Sequence, residues 1–409
     1  MTKRVVVTGM SGISALGHDW PSIAARLDLY ENVVEYIPEW ENIKGLRSKL
    51  AAPIKDFILP ETYSRKKVRG MSRISMMATV ATEQALEMAG LLNDPILKNG
   101  ECGIAYGSSA GGTDAVSEMG LLKTNQSVYS INATTYVRMM PHTAAVNVGL
   151  FFGLRGRVIP TSSACTSGSQ AIGYAYEAIK HGYQTVMVAG GAEELCPSEV
   201  AVFDVLYATS GLNDAPKTTP SPFDQHREGL VIGEGAGSLI LEEYEHAKAR
   251  GATIYAEIIG FATNCDAAHV TEPQKETMQI CIEQGLASAN IDKEAIGYVS
   301  AHGTGTLKGD IAESNATAMA YQKSIPISSF KSYVGHTLGA CGALEAWIGI
   351  EMMNRELFHP TLNLNNIDES CGDLDYICGE NRKISTEYIQ SNNFAFGGIN
   401  TSLVFKRTI

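Results

Sequence analysis

Residues 158–182, VIPTSSACTSGSQAIGYAYEAIKHG, join a short β-branched run to a helical pattern through a cluster of small hydroxyl residues. Apolar residues recur at helical spacing within 170–180, so this stretch predicts a strand followed directly by a helix. Similar strand-like runs alternate with helical patterns along the chain, for example at 74–89 and 277–289. This alternation predicts an α/β fold.

The order of these elements is similar in the two halves of the chain. With 409 residues, of which 44% are hydrophobic, the chain exceeds the usual size of a single core. The repeated order predicts a duplicated unit, with one half in residues 1–250 and the other in residues 251–409. Because the sequence between them contains no long linker, we expect the halves to share an interface.

The composition argues against several classes of protein. A formal net charge of -12 argues against non-specific binding of nucleic acid. Because no run of about 18 apolar residues is free of charge and the first residues lack a signal-peptide pattern, we expect a cytoplasmic protein without membrane association. The eight cysteines show neither C-x-x-C pairs nor zinc-ligand spacing, which predicts reduced thiols and no metal site.

Cys165 lies at or just before the first turn of the helix predicted at 170–180. The positive end of a helix favours thiolate and would lower the pKa of this thiol from its usual value of about 8.5. Backbone N–H groups in the same turn could also hold an oxyanion. A small buried cysteine would fit the local sequence equally well, so both interpretations stay open at this point.

Two histidines favour the catalytic interpretation. His302 follows an apolar run and precedes the loop GTGT, and His336 lies in the Gly-rich segment VGHTLGACG. Glycines at such turns let the backbone approach another group closely. The helix after His336 should keep its imidazole neutral. Two such histidines in one chain with a helix-start cysteine are typical of a nucleophilic site.

A second nucleophile must be weighed against Cys165. The segment GSSAG at 107–111 matches the G-x-S-x-G elbow of serine hydrolases, with Ser109 as the nucleophile. The motif is short, and the sequence after it is only weakly helical. A serine hydrolase is therefore the remote alternative.

Several ordered blocks resemble one family of enzymes. They are RVVVTGMSGISALG (4–17), SSACTSGSQAIG (162–173), SPFDQHREGLVIGEGAG (221–237), DAAHVTEP (266–273), AHGTGTLKGDIAE (301–313), KSYVGHTLGACGALEA (331–346) and NNFAFGGINTSLVF (392–405). The chain resembles the elongating β-ketoacyl-acyl carrier protein synthases over essentially its whole length. This resemblance implies a thiolase-like fold, in which two α/β halves form a five-layer αβαβα sandwich.

The resemblance also implies a reaction. Cys165 would accept an acyl group from a carrier thioester, because a thiolate is both a soft nucleophile and a good leaving group. Malonyl-carrier protein would then lose carbon dioxide, and neutral His302 and His336 would each donate an N–H to the resulting enolate. The acyl oxyanion would rest on the backbone N–H groups of Cys165 and Phe396. Neither a metal nor a cofactor is implied beyond the phosphopantetheine that carries the substrates.

Further residues take roles from the same resemblance. Lys331 would be buried against Glu345, because an unpaired buried lysine is costly. Supporting residues would be Glu313 and Asp310. The substrate would be contacted by Thr304, Thr306 and His269.

Two positions depart from the family pattern. Ala395 stands where a glycine normally precedes the gating Phe396, and we expect the loop to swing less freely. Ala110 stands where a bulky aliphatic residue commonly lines the acyl pocket. The extra room favours a specialised synthase of polyene or polyketide assembly over a housekeeping fatty-acid enzyme, which remains the alternative.

The resemblance implies two partners. An acidic acyl carrier protein would dock on a basic patch formed by Arg65, Lys66, Lys67, Arg69 and Arg73. A solvated helix face would explain these charges equally well. The apolar segment 135–156 would form a dimer interface, either with a second copy or with a cysteine-free chain-length factor.

Overall fold

The computed structural model describes residues 2–408. Its helices are α1 (Trp20–Asp28), α2 (Arg65–Val68), α3 (Arg73–Met88), α4 (Thr113–Asn125), α5 (Thr135–Met139), α6 (Thr143–Phe152), α7 (Ser167–Lys180), α8 (Pro197–Asp204), α9 (Tyr244–Ala249), α10 (Lys275–Ala289), α11 (Leu307–Tyr321), α12 (Lys331–Val334) and α13 (Cys341–Arg355). Its strands are β1 (Val5–Ser14), β2 (Glu35–Tyr36), β3 (Leu50–Ala52), β4 (Cys102–Gly107), β5 (Val158–Thr161), β6 (Val186–Glu193), β7 (Ile232–Gly233), β8 (Gly235–Glu243), β9 (Ala256–Cys265), β10 (Ile296–Ser300), β11 (Pro326–Ser328), β12 (Leu357–Phe358), β13 (Asp375–Tyr376), β14 (Arg382–Lys383), β15 (Tyr388–Ala395) and β16 (Ile399–Arg407).

The large sheet contains the same strand order twice. In the first half the order is β1-β8-β6-β4-β5, and in the second half it is β9-β16-β15-β10-β11, with β13 added at the edge. Antiparallel and parallel pairings also follow in the same sequence in both halves. The two runs meet where β1 pairs with β9 over three residues. The topology therefore repeats one unit, while the boundary near residue 250 stays a prediction.

The helices form layers between and outside the two halves of the sheet. α7 and α13 lie between the sheet halves, because α7 packs on β4 and β6 while α13 contacts both β8 and β15. A helix covered on both sides must be apolar nearly all round, and α13 buries most of its residues, including Trp347. α3 and α6 cover the outer face of the first half, and α10 and α11 cover that of the second. This arrangement is the predicted five-layer αβαβα sandwich of thiolase type.

The helix that follows Cys165 begins earlier than the apolar pattern indicates. α7 begins at Ser167 rather than near Gln170, and Thr166 is its N-cap residue. Its first turn consists of small residues, which pack closely without contributing to an apolar period. A Cβ on Gly168 would lie 2.9 Å from the carbonyl oxygen of Gly339. The small residues thus seat the first turn against the loop before α13.

No helix in the described part of the chain combines the length and the apolar character needed to cross a bilayer.

A substitution at Gly191, near the end of β6, would show how closely the backbone segments around the site are packed. A Cβ at this position would lie 2.3 Å from the Gly339 carbonyl oxygen and 2.9 Å from the Gly168 Cα. We expect Gly191→Ala to lower the free energy of unfolding by about 1–3 kcal/mol, because two backbone segments must move apart. The control is Gly120→Ala on the exposed side of α4, where nothing lies within 4 Å. Denaturant unfolding should show this control unchanged or stabilised by up to about 1 kcal/mol.

Candidate active site

Cys165 lies in a tight turn between β5 and α7. Ala164 immediately before it has a φ of +51°, a left-handed conformation that costs energy in a residue with a side chain. The turn is held by the Ser167 hydroxyl, which donates to the Ala164 carbonyl at 2.7 Å, and by the Thr166 hydroxyl, which donates to the Ser163 carbonyl at 2.7 Å. These bonds hold the buried Cys165 thiol at the entrance of α7.

His336 lies directly against the thiol. Its Nε2 is 3.0 Å from the Cys165 Sγ, although the two residues are 171 positions apart. The backbone N–H of Leu338 donates to the His336 Nδ1 at 3.2 Å. Because Nδ1 accepts this bond, the neutral ring carries its proton on Nε2 and presents an N–H to the sulfur.

His302 completes the cluster from the neighbouring loop. Its ring centre lies 5.1 Å from that of His336, at an interplanar angle of 86°. The His302 Nδ1 faces two donors, the Lys331 ammonium at 3.2 Å and the Asn393 side-chain amide at 3.3 Å. The His302 proton therefore also belongs on Nε2.

A buried ion pair supports the histidines. Lys331 forms a salt bridge with Glu345, and each side chain is 1% exposed. The second oxygen of Glu345 accepts a hydrogen bond from the Asn393 amide at 2.6 Å. A buried pair of this kind is stable only when its remaining hydrogen-bonding positions are occupied, and Asn393 and His302 occupy them here.

Two acidic residues hold the backbone around His302. Glu313 accepts the N–H groups of His302 and Gly303 at 2.6 and 2.7 Å. Asp310 accepts the N–H groups of Thr304 and Gly305 at 3.0 and 3.2 Å. Burial raises the pKa of Glu313 to about 8 and that of Asp310 to about 6, and the N–H donors oppose this shift in both. These carboxyl groups therefore act on the histidine through its loop.

Burial dominates the protonation of the cluster. It lowers the pKa of His302 and of His336 well below 6.5, and the positive charge of Lys331 adds to the effect. Both rings are therefore neutral at pH 7. The neutral state of His336 was expected from a helix dipole, whereas its causes in the structure are burial and the Lys331 charge.

The expected lowering of the Cys165 pKa is wrong. Burial raises the pKa of this thiol to about 11, although the Lys331 charge and the backbone N–H groups of Phe396 and Cys165 oppose the shift. The side chain is only 3% exposed, so the loss of hydration outweighs the favourable end of α7. The resting sulfur is a neutral thiol surrounded by N–H donors that would stabilise negative charge during reaction.

A cavity of about 330 Å³ opens at the thiol. Its lining includes Cys165, His302, His336, Thr304, Thr306, His269, Phe203 and Phe396. The hydroxyl groups of Thr304 and Thr306 lie 2.9 Å apart, so they form one polar patch on the wall. The structure thus brings together the predicted nucleophile, both histidines and three predicted substrate contacts.

Phe396 lies beside the thiol and packs on Phe203, with 5.1 Å between the ring centres. Ala395 is the last residue of β15 and pairs with Ile399 in the sheet. Left-handed φ values occur at the next two glycines, Gly397 at +88° and Gly398 at +74°. The turn therefore bends at these glycines, and Ala395 needs no glycine conformation here.

Other predicted residues lie apart from the cavity. Ala110 does not contribute to its lining, and its backbone N–H lies 3.3 Å from Glu193. The Ser109 hydroxyl also donates to Glu193. Since the partner of Ser109 is a carboxylate and not a histidine, the serine-hydrolase alternative is wrong.

The basic patch is partly assembled. Arg65, Lys66, Lys67 and Arg69 are exposed in and just after α2, and none of them lines the cavity at Cys165. Arg73 does not belong with them, because it forms a salt bridge with Glu234 at 2.8 Å.

The thiol and the two imidazoles also satisfy the spacing of a metal site, since their ligand atoms lie within 4.8 Å of one another. However, the Lys331 ammonium lies 3.2 Å from His302. A fixed positive charge at this distance opposes the binding of a metal cation.

Asn393 is a site residue that was not predicted from the sequence. It lies inside β15 and links Glu345 to His302. Three amide residues, Gln390, Asn392 and Asn393, lie in this buried strand, and such a polar run is the signal that could have pointed to it.

The fold and the Cys-His-His cluster define a condensing enzyme of thiolase type. Residues 2–247 match the β-ketoacyl synthase N-terminal domain, and residues 255–365 match the C-terminal domain. The chain is 37% identical to 3-oxoacyl-[acyl-carrier-protein] synthase 2 of Vibrio cholerae, with 99% of both chains covered. The chain belongs to the β-ketoacyl synthase family and is an acyltransferase with the condensing activity of that family.

Solved structures are similar over the entire chain. A β-ketoacyl synthase from Burkholderia phymatum matches with a TM-score of 0.98 and 56% sequence identity, and both chains are covered completely. The ishigamide ketosynthase/chain length factor matches with a TM-score of 0.91 and 27% identity, again over 100% of both chains.

The raised pKa of Cys165 can be measured by alkylation. Because the thiolate is the reactive form, we expect its reaction with iodoacetamide to accelerate about tenfold per pH unit between pH 7 and 9.5. Peptide mass spectrometry would follow Cys165, while free cysteine in the same mixture should level off above its pKa of about 8.5. A plateau of the Cys165 rate below pH 8 would show that the surrounding N–H donors outweigh burial.

Proposed function

We propose that Cys165, His302 and His336 carry out a decarboxylative condensation between an acyl group and malonyl-acyl carrier protein. The supporting observation is the contact between the Cys165 Sγ and the His336 Nε2 at 3.0 Å, with both rings neutral and protonated on Nε2. Both substrates arrive as thioesters of phosphopantetheine, whose arm contacts the hydroxyl groups of Thr304 and Thr306.

In the first step, the Cys165 sulfur attacks the acyl thioester carbonyl. The oxyanion accepts hydrogen bonds from the backbone N–H groups of Cys165 and Phe396. The carrier sulfur leaves with the proton of the Cys165 thiol, which gives acyl-Cys165 and a free carrier thiol. The exchange therefore starts from a neutral thiol and a thioester and ends with a neutral thiol and a thioester.

In the second step, malonyl-carrier protein binds with its thioester oxygen against the Nε2–H groups of His302 and His336. Loss of carbon dioxide leaves the electron pair on an enolate, and these two N–H groups stabilise its oxygen. The enolate carbon attacks the acyl-Cys165 carbonyl, and the carbon–sulfur bond breaks. The product is β-ketoacyl-carrier protein, and the released Cys165 thiolate takes up one proton from solvent, which neutralises the charge brought in by the malonyl carboxylate.

The carrier protein is proposed to dock on the basic patch formed by Arg65, Lys66, Lys67 and Arg69. The Lys67 ammonium lies 4.8 Å from the ring centre of Phe151, which belongs to the apolar segment 135–156. The patch therefore borders that segment. An acidic carrier suits these four charges on a chain that is otherwise negative.

Intact-mass measurement tests the reaction and the docking patch together. The wild type should gain one acyl group from octanoyl-carrier protein and from octanoyl-pantetheine, whereas Cys165→Ala should gain none. Arg65→Glu combined with Lys66→Glu should slow acylation by the carrier about tenfold or more and leave pantetheine unaffected. Acylation that survives in Cys165→Ala contradicts the assigned nucleophile, and equal slowing of both donors contradicts the docking patch.

We also propose that the chain works as a dimer through segment 135–156 and β5. Strand β5 ends the large sheet without a further neighbour among residues 2–408, and its Val158 is 48% exposed. Nearby apolar side chains are more exposed still, with Leu150 at 74% and Tyr136 at 63%. An apolar edge strand is suited to pairing with another chain. The partner is a second copy, and a chain-length factor, as in the ishigamide complex, is the alternative.

Sedimentation velocity distinguishes these states. The purified chain should sediment as a dimer, and Leu150→Glu combined with Tyr136→Glu should shift it to a monomer by burying charges in the interface. Leu29→Glu, at a site that is 75% exposed beside α1, is the matched control and should remain dimeric. A wild-type monomer that dimerises only with a cysteine-free relative would favour the chain-length factor.

The acyl substrate is proposed to be specialised rather than that of housekeeping fatty-acid elongation. Ala110, the sequence feature that suggested a roomier acyl pocket, lies outside the cavity lining and does not support this proposal. Its support is a buried carboxyl group on α8, the helix that carries the cavity residue Phe203.

A further inference from the structure

Glu199 is a buried carboxyl group without a hydrogen-bond partner. It lies in the first turn of α8 and is 7% exposed. Neither of its oxygens has a partner within the described residues. The Cys196 backbone N–H faces the group but does not reach hydrogen-bond geometry. Buried polar groups are nearly always paired, so an unpaired carboxyl group requires an explanation.

Two acidic residues close to Glu199 in the sequence do have hydrogen-bond partners. Glu193 accepts the backbone N–H groups of Ser109 at 2.7 Å and Gly339 at 3.0 Å. Glu194 accepts the Thr113 N–H at 2.7 Å and the Ile74 N–H at 3.1 Å. These two carboxyl groups serve the fold, whereas Glu199 holds no other segment in place.

The position of Glu199 connects it to the thiol cavity. Phe203 lies one helical turn further along α8, so the two side chains share a face of the helix. Phe203 lines the cavity at Cys165 and packs on Phe396. The side of the helix away from Phe203 meets solvent, since Ser198 is exposed and Val205 is 74% exposed. Glu199 is therefore buried one helical turn from a residue that lines the cavity, although it does not itself line the cavity.

The surroundings of Glu199 decide its chemistry. Burial raises its pKa to about 10, and the negative charges of Glu193 and Glu194 reinforce the effect. Near pH 7 the group is therefore a neutral carboxylic acid with one O–H donor and a carbonyl acceptor. Val200 and Phe203, which are close to Glu199 on α8, belong to an apolar cluster that also contains Leu338. A single donor–acceptor pair in apolar surroundings is typical of a ligand pocket.

We propose that Glu199 recognises a hydroxyl group on the acyl chain carried by Cys165, so the preferred substrates are hydroxyl-bearing acyl thioesters. The inference rests on the proposed function, since the acyl chain must extend from Cys165 past Phe396 and Phe203. A hydroxyl group both donates and accepts, so it satisfies both oxygens of a carboxylic acid in one reciprocal contact. A plain alkyl chain would leave the carboxyl group unpaired, which is the arrangement that discriminates strongly between substrates.

The test measures the acylation of Cys165 by intact mass. The probes are pantetheine thioesters of ω-hydroxyacyl chains with six to twelve carbons, each paired with the alkyl chain of equal length. At one chain length or more, the wild type should prefer the hydroxyl probe at least tenfold in acylation rate. Glu199→Leu should abolish this preference and accelerate the alkyl probe. Glu199→Gln should retain most of it, because an amide also donates and accepts.

Two controls separate recognition from folding. Glu245→Leu makes the same substitution at an exposed position of α9 and should keep the wild-type preference. If Glu199→Leu does not fold, infrared difference spectra of the wild type still decide the question. Acylation by the hydroxyl probe should shift the carbonyl band of the Glu199 carboxylic acid, identified by its absence in Glu199→Gln, and the alkyl probe should not.

The outcomes distinguish this inference from the proposed function. Equal rates for hydroxyl and alkyl probes at every length, or a preference that persists in Glu199→Leu, would overturn the role of Glu199 while leaving the condensing reaction intact. An unshifted carbonyl band would do the same. Failure of every probe to acylate Cys165 would instead overturn the proposed function itself.

Discussion

The buried ammonium of Lys331 is the charge on which the site depends. It lies against Glu345 and donates to His302, and thereby fixes the tautomer of that ring. The same charge lowers the pKa of both histidines and opposes the rise in the Cys165 pKa. Because the pair is buried, its field is only weakly screened. One ion pair therefore sets the protonation of both the proposed nucleophile and the two proposed donors.

The duplicated topology explains why these residues meet. His302 follows β10 and His336 follows β11, while Cys165 follows β5, which holds the same place in the first half as β11 in the second. The carboxyl ends of parallel strands are the usual position of sites in α/β sheets. The segment after β4, which corresponds to that after β10, carries Ser109 and binds Glu193 instead of reacting. The two halves therefore contribute different chemistry from equivalent positions.

Local patterns predicted the strands, the main helices and the three reactive residues, because Gly-rich turns after apolar runs mark the places where backbone and ligand meet. Properties that depend on packing between distant segments could not be predicted from these local patterns. The elevated pKa of Cys165 arises from burial, which depends on residues from other parts of the fold, such as His336 against the sulfur. The unpaired carboxyl group of Glu199 is equally invisible in sequence, since an acidic residue in the first turn of a helix is ordinary.

A neutral thiol at rest suits the reaction better than a thiolate would. Thioester exchange takes in one thiol and releases another, so the enclosed site holds no additional net charge before or after the step. Negative charge develops only transiently, on the acyl oxygen, the enolate oxygen and the departing sulfur. In the proposed reaction, each of these positions faces N–H groups that are already oriented by the turn at Ala164, the turn at Leu338 and the Lys331 pair. Preorganised donors in a dry site stabilise such transient charge without reorganising during the reaction, which is why the fold can keep its nucleophile uncharged.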